Sequence, residues 1–420
     1  PAGSELALGT YNVVATATDG SANAATDATI DELVINDITA PSIVSTFDDP
    51  IIDVATSIEI IFDETMEPQS LVFSGALGNE ASGSWSQSVV ADDTLTVSAM
   101  VEWPIGTDQS LIIDANDLAG NSLASLTLEF DVSVIHVSID ATNADDSNVG
   151  TRDQPFKTII AAVNQADSTF SKSEIRVALG TYATFSESGT NIELSDGMRL
   201  MGSYSADWLL RNLITYASIV NDTSTTGGDF NNPNCVITIN AGAGSETLVN
   251  GFTLNGGGIT DGSGNGASCG IEIKMNASPT IENNIISGGS AASSTGIIDR
   301  GLSPVIRNNT IRGSEAGAQS NALQGIISNG SSPTIIDNDI IGGSGVAGQS
   351  GGTGISLTDV NAIVERNSVV GGNAEVSYGV SVSGASTVLL RNNTIHGGNS
   401  FNTYGISIGA GNTITLQNNT

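Results

Sequence analysis

Hydrophobic positions in the second half of the chain recur with a nearly constant period. Each copy opens with Gly-Ile-x-Ile or a close variant, passes through a short Thr-Ile segment and ends near Thr-Ile-x-Gly-Gly. The opening glycines are Gly270, Gly296, Gly325, Gly354, Gly379 and Gly405. β-Branched residues alternate with polar ones at a period of two, which is the spacing of strands and not of helices. Three short strands per repeat of about 26 residues predict stacked coils of a parallel β-helix.

An asparagine follows the second strand of each copy, where the coil must bend sharply. Asparagine tolerates the left-handed backbone conformation that such a bend needs. Equivalent side chains in successive coils would lie roughly 4.8 Å apart, which allows hydrogen bonds along the solenoid. We therefore predict a ladder formed by Asn283, Asn308, Asn338, Asn367, Asn392 and Asn418.

The first third of the chain has short alternating segments separated by turn signals, a pattern typical of β-sandwiches. The Gly-Thr-Tyr segment at residues 9–11 and the alternation up to Asp19 resemble the last hairpin of a bacterial immunoglobulin-like module. Residues 58–66, Gly83-Ser84-Trp85 and residues 117–121 resemble the Ig-like modules of bacterial surface-layer proteins. The resemblance implies the C-terminal part of one module at 1–40 and a complete module at 41–133, acting as spacers or a surface-exposed stalk.

Residues 134–190 begin a second architecture. A strand at 135–139, a segment with helical spacing at 155–166 and a strand at 175–182 follow one another. This order, with Gly-Thr before Pro155-Phe156-Lys157, resembles the N-terminal cap of pectin-lyase-like right-handed β-helices. We therefore expect an all-β chain in which Ig-like sandwich modules precede a right-handed parallel β-helix at 134–420. Because Thr420 falls within a coil, we expect the helix to be truncated at its C-terminal end.

Two cysteines, Cys235 and Cys269, each precede a strand of the same kind. Their separation of 34 residues corresponds to one long coil, so in register they would be stacked neighbours within bridging distance. We predict a disulfide, which would require an oxidising, extracytoplasmic compartment. The alternative is a pair of small buried hydrophobic side chains.

The charge of the chain is strongly acidic and unevenly distributed. There are 45 acidic and 12 basic residues, and the first 150 residues contain 25 acids and no lysine or arginine. Such a chain repels nucleic acid and anionic membranes, and no apolar run is long enough to cross a bilayer. We predict a self-repelling protein of the bacterial cell surface or exterior, with its signal peptide and anchor outside this segment.

The acidity also raises the possibility of a Ca²⁺ requirement. Asp114 and Asp117 lie in one acidic turn, although their spacing departs from that of a calcium loop. A hydrogen-bonded Asx turn is the alternative interpretation.

Candidate ligand-binding residues are few. Tyr204 and Trp208 would form an aromatic platform for a sugar, or else pack beneath a loop. Asp145 and Asp146 are part of a dense polar cluster in the predicted cap, where a role in loop structure is the alternative.

The outward positions of the repeat lack the residues expected of a catalytic site. The outward position of the Gly-Ile-x-Ile strand is occupied by Glu272, Ile298, Ile327, Ser356, Ser381 and Ser407. The paired carboxylates that glycoside hydrolysis needs are absent from this series, so we assign no catalytic residue. The sequence predicts a non-enzymatic structural or adhesion protein that self-associates into fibres or binds surface glycans or proteins. A polysaccharide lyase or hydrolase, or a carbohydrate-binding module, is the alternative.

Overall fold

A computed structural model describes residues 9–26, 29–31, 33–47, 51–86, 93–104, 106–169, 172–184, 191–224, 228, 233–258, 266–314, 322–344, 352–373 and 375–420. The chain divides into two compact units, Pro1–Val132 and Ser133–Thr420. Within the described ranges, no helix is long and apolar enough to cross a membrane.

The N-terminal unit contains two four-stranded sheets that share one hydrophobic core. In spatial order the first sheet is β5 (Ile43–Ser45), β7 (Ile58–Phe62), β10 (Thr94–Ala99) and β9 (Ala81–Trp85). The second is β6 (Ile51–Ile52), β12 (Leu126–Val132), β11 (Gly106–Asp114) and β8 (Val72–Ser74), and a 3-10 turn covers Pro68–Ser70. All pairs are antiparallel except β6 with β12. The unit therefore contains a β-sandwich, whereas its relation to Ig-like modules stays a prediction.

The segment before the sandwich differs from the single hairpin that was predicted. It forms two separate antiparallel pairs, namely β1 (Gly9–Tyr11) with β4 (Leu33–Ile35) and β2 (Thr16–Thr18) with β3 (Ala24–Thr26). The side chains of β2 and β3 are all exposed. A turn that Asp19 stabilises by accepting hydrogen bonds from Ser21 and Asn23 joins these two strands.

The C-terminal unit is a solenoid of three parallel sheets. The first sheet comprises β13 (Val134–Val137), β14 (Ser173–Ala178), β17 (Met198–Tyr204), β20 (Leu248–Asn250), β23 (Thr280–Glu282), β26 (Val305–Arg307), β29 (Thr334–Ile336), β32 (Asn361–Glu365), β35 (Thr387–Arg391) and β38 (Thr413–Gln417). The second comprises β15 (Gly180–Ala183), β18 (Ser218–Asn221), β21 (Phe252–Asn255), β24 (Ile285–Ser287), β27 (Thr310–Arg312), β30 (Asp339–Ile341), β33 (Ser368–Val370) and β36 (Thr394–His396). The third comprises β16 (Ile192–Leu194), β19 (Asn234–Ile239), β22 (Ala267–Ile273), β25 (Ser293–Asp299), β28 (Ala322–Asn329), β31 (Gly352–Thr358), β34 (Val376–Ser383) and β37 (Asn402–Ile408).

Aliphatic side chains from all three sheets form one continuous core. Ile281 and Ile306 stack in the first sheet, and equivalent residues stack in the other two. Each fully buried side chain of this size stabilises the fold by roughly 1.5–3 kcal/mol. The opening glycine of each copy is required by packing. A Cβ on Gly296, for example, would lie 2.4 Å from Ile311 and 2.6 Å from the Gly325 carbonyl oxygen.

The single helix in the described part of the solenoid unit, α1 (Ile159–Thr169), packs against this core. Ile159, Ala162, Val163 and Ala166 are buried and form one apolar face. The helix contacts the N-terminal strands β13, β14 and β16. It covers apolar surface that the first coils of a solenoid would otherwise expose.

The asparagine ladder differs from the prediction, because the bend uses two consecutive positions. The first has a left-handed backbone and is occupied by Asn283, Asn308, Asp337, Arg366, Asn392 and Asn418. The second forms the hydrogen-bonded ladder and is occupied by Asn284, Asn309, Asn338, Asn367, Asn393 and Asn419. Asn338 and Asn367 were thus assigned to the correct column, whereas Asn283, Asn308, Asn392 and Asn418 were not.

The physical reason is the direction of the side chain at each position. At the left-handed residue, the side chain of Asn308 is exposed, so Asp337 and Arg366 are accepted at equivalent places. At the next residue the chain turns inward, and Asn309 and Asn338 are buried. The asparagine amide offers one acceptor oxygen and two N–H donors, so one side chain can hydrogen-bond along the stack and to its own coil at the same time.

Candidate functional site

One column on the third sheet carries both the disulfide and a pair of tyrosines. Cys235 and Cys269 are joined by a disulfide, their Cα atoms are 4.4 Å apart, and they lie in register on β19 and β22. The same column continues through Thr295, Gln324, Thr353, Tyr378 and Tyr404. The parallel register therefore places side chains of adjacent coils directly against each other at both ends of this column.

The two tyrosines stack on each other. The ring centroids of Tyr378 and Tyr404 are 5.5 Å apart and the rings are inclined by 21°. The Tyr404 side chain is 50% exposed, so its ring presents surface to solvent. Phe401, directly before β37, is 92% exposed at the same end of the solenoid. The predicted outward column does not include these rings. It consists of the second residue after each opening glycine, whereas Tyr378 and Tyr404 directly precede that glycine.

The column that was predicted to point outward is in register, but its first three members, Glu272, Ile298 and Ile327, are buried. Glu272, Ile298, Ile327, Ser356, Ser381 and Ser407 follow one another through five consecutive strand pairs. Its composition changes along the solenoid from a charged and aliphatic end to a hydroxyl-bearing end. The hydroxyl-bearing end is also the end that carries the tyrosine stack.

Carboxylates on the outer surface of the coils form ion pairs. Glu282 accepts from Arg307 at 2.5 Å, and Glu365 accepts from Arg391 at 2.5 Å. Glu272 likewise pairs with Arg300. Glycoside hydrolysis needs one carboxyl group to donate a proton and a second to act as base or nucleophile. Carboxylates held by guanidinium groups are poorly suited to either role.

Asp299 is a buried carboxyl group inside the solenoid. It follows Ile273 and precedes Ser328 in an inward column of the third sheet. Burial raises the pKa of Asp299. It outweighs the opposite effect of the hydrogen bonds that the carboxylate accepts from Ser328 at 2.6 Å and from the Gly301 backbone at 2.8 Å. Because this carboxyl group has no exposed surface, it does not face a ligand.

The proposed aromatic platform of Tyr204 and Trp208 is not formed. Trp208 is 5% exposed, its indole N–H donates to the Arg176 carbonyl at 3.2 Å, and its ring packs edge-on against His136. The guanidinium groups of Arg176 and Arg211 lie 5.7 and 5.6 Å from the centroid of the Tyr204 ring. Trp208 therefore packs beneath its loop, because its indole is large, apolar and supplied with an acceptor there.

Asp145 and Asp146 both accept hydrogen bonds within the cap. Asp145 accepts from the Ser147 backbone and hydroxyl groups, and these hydrogen bonds lower its pKa. Asp146 accepts from the backbone N–H groups of Lys157 and Thr158 just before helix α1 begins. These contacts fit the alternative role in loop structure, in which short acidic side chains satisfy backbone donors, and ligand binding by these residues stays a prediction.

The two acids that were predicted to hold Ca²⁺ accept hydrogen bonds from different partners. Asp114 accepts a hydrogen bond from Ser125 at 2.5 Å. Asp117 forms an Asx turn. Burial opposes its ionisation, but hydrogen bonds from Asn121, Ala119 and Gly120 outweigh that effect and lower its pKa.

Asp117 instead belongs to a group of three carboxylates with Asp37 and Glu64, whose oxygens lie within 4.8 Å of one another. Burial raises the pKa of Glu64, and the charges of Asp117, Asp37 and Asp63 raise it further. Asp114 is not part of this group. The sequence could not show the grouping, since the three acids come from separate turns of the sandwich unit.

Comparison with known proteins supports the fold. Residues 263–420 match the family model described as a right handed beta helix region. The catalytic unit of a thermostable GH87 alpha-1,3-glucanase from Streptomyces thermodiastaticus strain HF3-3 aligns with 87% of this chain and 88% of its own, at 12% identity and a TM-score of 0.23. The catalytic domain of a GH87 alpha-1,3-glucanase in complex with nigerose aligns with 92% of this chain and 83% of its own, at 10% identity and a TM-score of 0.18. Scores this low carry no information about activity. No curated protein matches the sequence. The family match and the three parallel sheets identify the solenoid as a right-handed parallel β-helix.

Proposed function

We propose that the β-helix binds a neutral polysaccharide on the outer face of its third sheet and does not cleave it. The observation that carries this proposal is the stack of Tyr378 and Tyr404, whose centroids are 5.5 Å apart. A pyranose ring has a face of C–H groups, and a flat aromatic ring offers it dispersion contacts over a wide area.

Hydroxyl groups beside the stack supply the polar contacts that a sugar needs. Ser356, Ser381 and Ser407 occupy one outward column on β31, β34 and β37. Successive coils repeat these groups at roughly 4.8 Å. Each hydroxyl can both donate and accept a hydrogen bond, which matches the hydroxyl groups of a glycan.

The ligand is expected to be uncharged. The tyrosine column and the serine column contain no ionisable carboxylate, lysine or arginine between β31 and β37. The net charge of −33 would repel a polyuronate at long range. A neutral polymer avoids this repulsion.

The rigidity of the sheet favours binding. Tyr378 and Tyr404 lie on strands that are paired with their neighbours through six register positions, so the backbone beneath the rings is already ordered. An ordered site pays little additional entropy when the ligand docks.

The experiment compares binding of neutral glucans and of polygalacturonate by affinity electrophoresis and calorimetry. Tyr404→Ala and Tyr378→Ala should each weaken glucan binding by about tenfold, which corresponds to about 1.4 kcal/mol. Ile363→Ala, which truncates an exposed side chain on the first sheet, is the matched control and should bind as the unaltered protein does. Failure to bind any neutral polysaccharide would refute the proposal.

A reducing-sugar assay and an assay for unsaturated products, run on the same samples, test the alternative that the protein is a hydrolase or lyase. We expect no turnover, because Glu272, Glu282 and Glu365 are paired with arginines. Steady product formation would favour the enzyme. We further propose that the sandwich unit is a spacer that presents the β-helix at the cell surface, and surface labelling of intact cells tests this location.

A further inference from the structure

An ordered loop between β17 and β18 exposes apolar side chains. Its backbone is fixed by a bridge between Tyr204 and Arg211 and by a hydrogen bond from the Ser205 N–H to the Leu210 carbonyl at 2.8 Å. Arg211 holds the loop against β17 by donating to the Gly202 carbonyl at 2.9 Å, and against the next coil by donating to the Asn250 side chain at 2.5 Å. These contacts and the buried Trp208 give the loop a definite shape that does not depend on burying its aliphatic residues.

Four aliphatic side chains of this loop face solvent. Their exposure ranges from 47% to 93% in Leu209, Leu210, Leu213 and Ile214. Exposed aliphatic residues scattered singly need no explanation, but four within six positions form a patch. Apolar patches of this kind on an ordered surface mark interaction sites.

Guanidinium groups border the patch. Arg176 and Arg211 pack against Tyr204, and Leu213 lies beside Arg211 above Gly251. We call the four aliphatic residues together with Arg176 and Arg211 the Leu/Arg surface.

The charge of this region is positive in a protein that is otherwise acidic. Arg176 and Arg199 share one carboxylate, Glu174, at 2.7 and 3.3 Å. The nearby Glu282 is paired with Arg307. Arg176, Arg199 and Arg211 therefore outnumber the two acids Glu174 and Asp207 in this region, whereas the whole chain carries 45 acids and 12 basic residues.

The N-terminal unit has the complementary properties. Residues 1–132 contain 22 acids and no lysine or arginine. The same unit exposes aliphatic side chains, among them Val14, Ile38, Val44 and Val101. Its surface thus combines negative charge with apolar groups, as the Leu/Arg surface combines positive charge with apolar groups.

We propose that the Leu/Arg surface binds the acidic N-terminal unit of a second copy of this chain. Arginine and tyrosine are enriched in protein interfaces and exposed apolar patches mark such sites, whereas a sugar polymer offers no partner for four aliphatic side chains. The two contacting surfaces are different, so the association is heterologous. Such contacts generate rings or open filaments and not closed two-fold dimers.

Sedimentation velocity of the full chain at low salt, over about 1 to 100 µM, tests the proposal in the range of weak protein contacts. The mean mass should rise with concentration. The rise should be smaller in 1 M salt, where the Debye length is only about 3 Å. A chain that stays monomeric both at low salt and at about 0.15 M salt, where a Debye length of about 8 Å screens its overall negative charge, would refute the proposal.

Two substitutions at one exposed position separate the apolar and the electrostatic contributions. Ile214→Asp and Ile214→Lys both remove the aliphatic side chain, but against an acidic partner Asp should weaken association at least tenfold more than Lys. Leu302→Asp, at another exposed aliphatic residue of the solenoid, is the control and should associate normally.

Equal effects of Ile214→Asp and Ile214→Lys would contradict an acidic partner, and undiminished association of Ile214→Asp would exclude this loop from the interface. Polyglutamate is a probe for other acidic ligands. If the chain binds polyglutamate but stays monomeric, the Leu/Arg surface binds an acidic partner other than the N-terminal unit of a second copy. Loss of glucan binding on changing Tyr404 is independent of all these outcomes.

Discussion

The side-chain oxygen of Asn367 accepts two hydrogen bonds from Asn338 of the preceding coil, one from the backbone N–H at 2.9 Å and one from the amide at 3.0 Å. The Asn338 amide also donates to the carbonyls of Ile306 and Ile336, both at 2.9 Å. Each buried asparagine therefore bonds its own coil and the coils on both sides. Coil stacking and the bend are stabilised by the same side chain.

We expect Asn338→Ala to lower the free energy of unfolding by at least about 3 kcal/mol. The substitution removes the acceptor of the Asn309 backbone N–H and of the Asn309 amide, together with the amide donor to the Ile306 carbonyl, and each unsatisfied buried group costs roughly 1–3 kcal/mol. Asn308→Gly is the control. Asn308 is exposed with φ of 55°, a conformation that glycine adopts without strain. Urea denaturation should show a change below about 1 kcal/mol for the control, and similar losses for both variants would contradict the assignment of the two positions.

Replacing both Cys235 and Cys269 by alanine should destabilise the first coils of the β-helix. The bridge closes a loop with a sequence separation of 34, for which chain entropy predicts a loss of up to about 4 kcal/mol. Hydrogen exchange read by mass spectrometry should show faster exchange around β19 and β22, while exchange around β34 and β37 serves as the internal reference. Unchanged exchange at β19 and β22 would mean that stacking alone holds these coils.

Asp299→Asn should stabilise the β-helix at neutral pH. Because burial raises the pKa of Asp299, the folded state binds its proton more tightly than the unfolded state does. Its contribution to stability is fully present below the unfolded pKa of about 3.9 and is lost as the pH rises through the folded pKa. Melting curves should therefore show a variant that is more stable than the unaltered protein at pH 7 and equally stable at low pH. Asp339→Asn, at an exposed carboxylate on β30, provides the comparison. A stability difference independent of pH would refute this account.

Glu64→Gln should have the same pH signature in the sandwich unit for a different reason. Burial and the charges of Asp117, Asp37 and Asp63 raise the pKa of Glu64, so ionisation of this residue opposes folding. The unaltered protein should lose stability as the pH rises above the ordinary glutamate value of about 4.3, and the variant should lose less. Glu59→Gln, on the exposed side of β7, controls for the general loss of negative charge. If Glu59→Gln stabilises the unit as much as Glu64→Gln does, overall repulsion and not this group of acids is responsible.

The sequence of the bend contained more information than the prediction used. Where the two positions differ, as in Asp337-Asn338 and Arg366-Asn367, asparagine is always the second residue. In the Asn-Asn pairs the two positions cannot be told apart by residue type. The variable position is exposed and has a left-handed backbone, and the constant position is buried. Burial limits the residue types that a position accepts more strongly than a left-handed backbone does.

Trp208 shows why the candidate contacts in the cap could not be judged from the sequence. Nothing near residue 208 indicates that its indole packs against His136, which is 72 residues earlier in the chain. The same holds for Asp37, Glu64 and Asp117, which meet across the sandwich unit. These contacts join segments that share no repeat, so no local pattern reports them.

The sequence by itself determined the parallel coils, the outward serine column and the stacking of Cys235 on Cys269. In a solenoid, neighbours in space are separated by one repeat, so the period in the sequence encodes the contact directly. The tertiary structure alone decided the direction of each side chain at the bend, the burial of Trp208 and the exposure of the Leu/Arg surface. Those properties depend on how loops and distant strands cover one another, which is set by the packing of the whole unit.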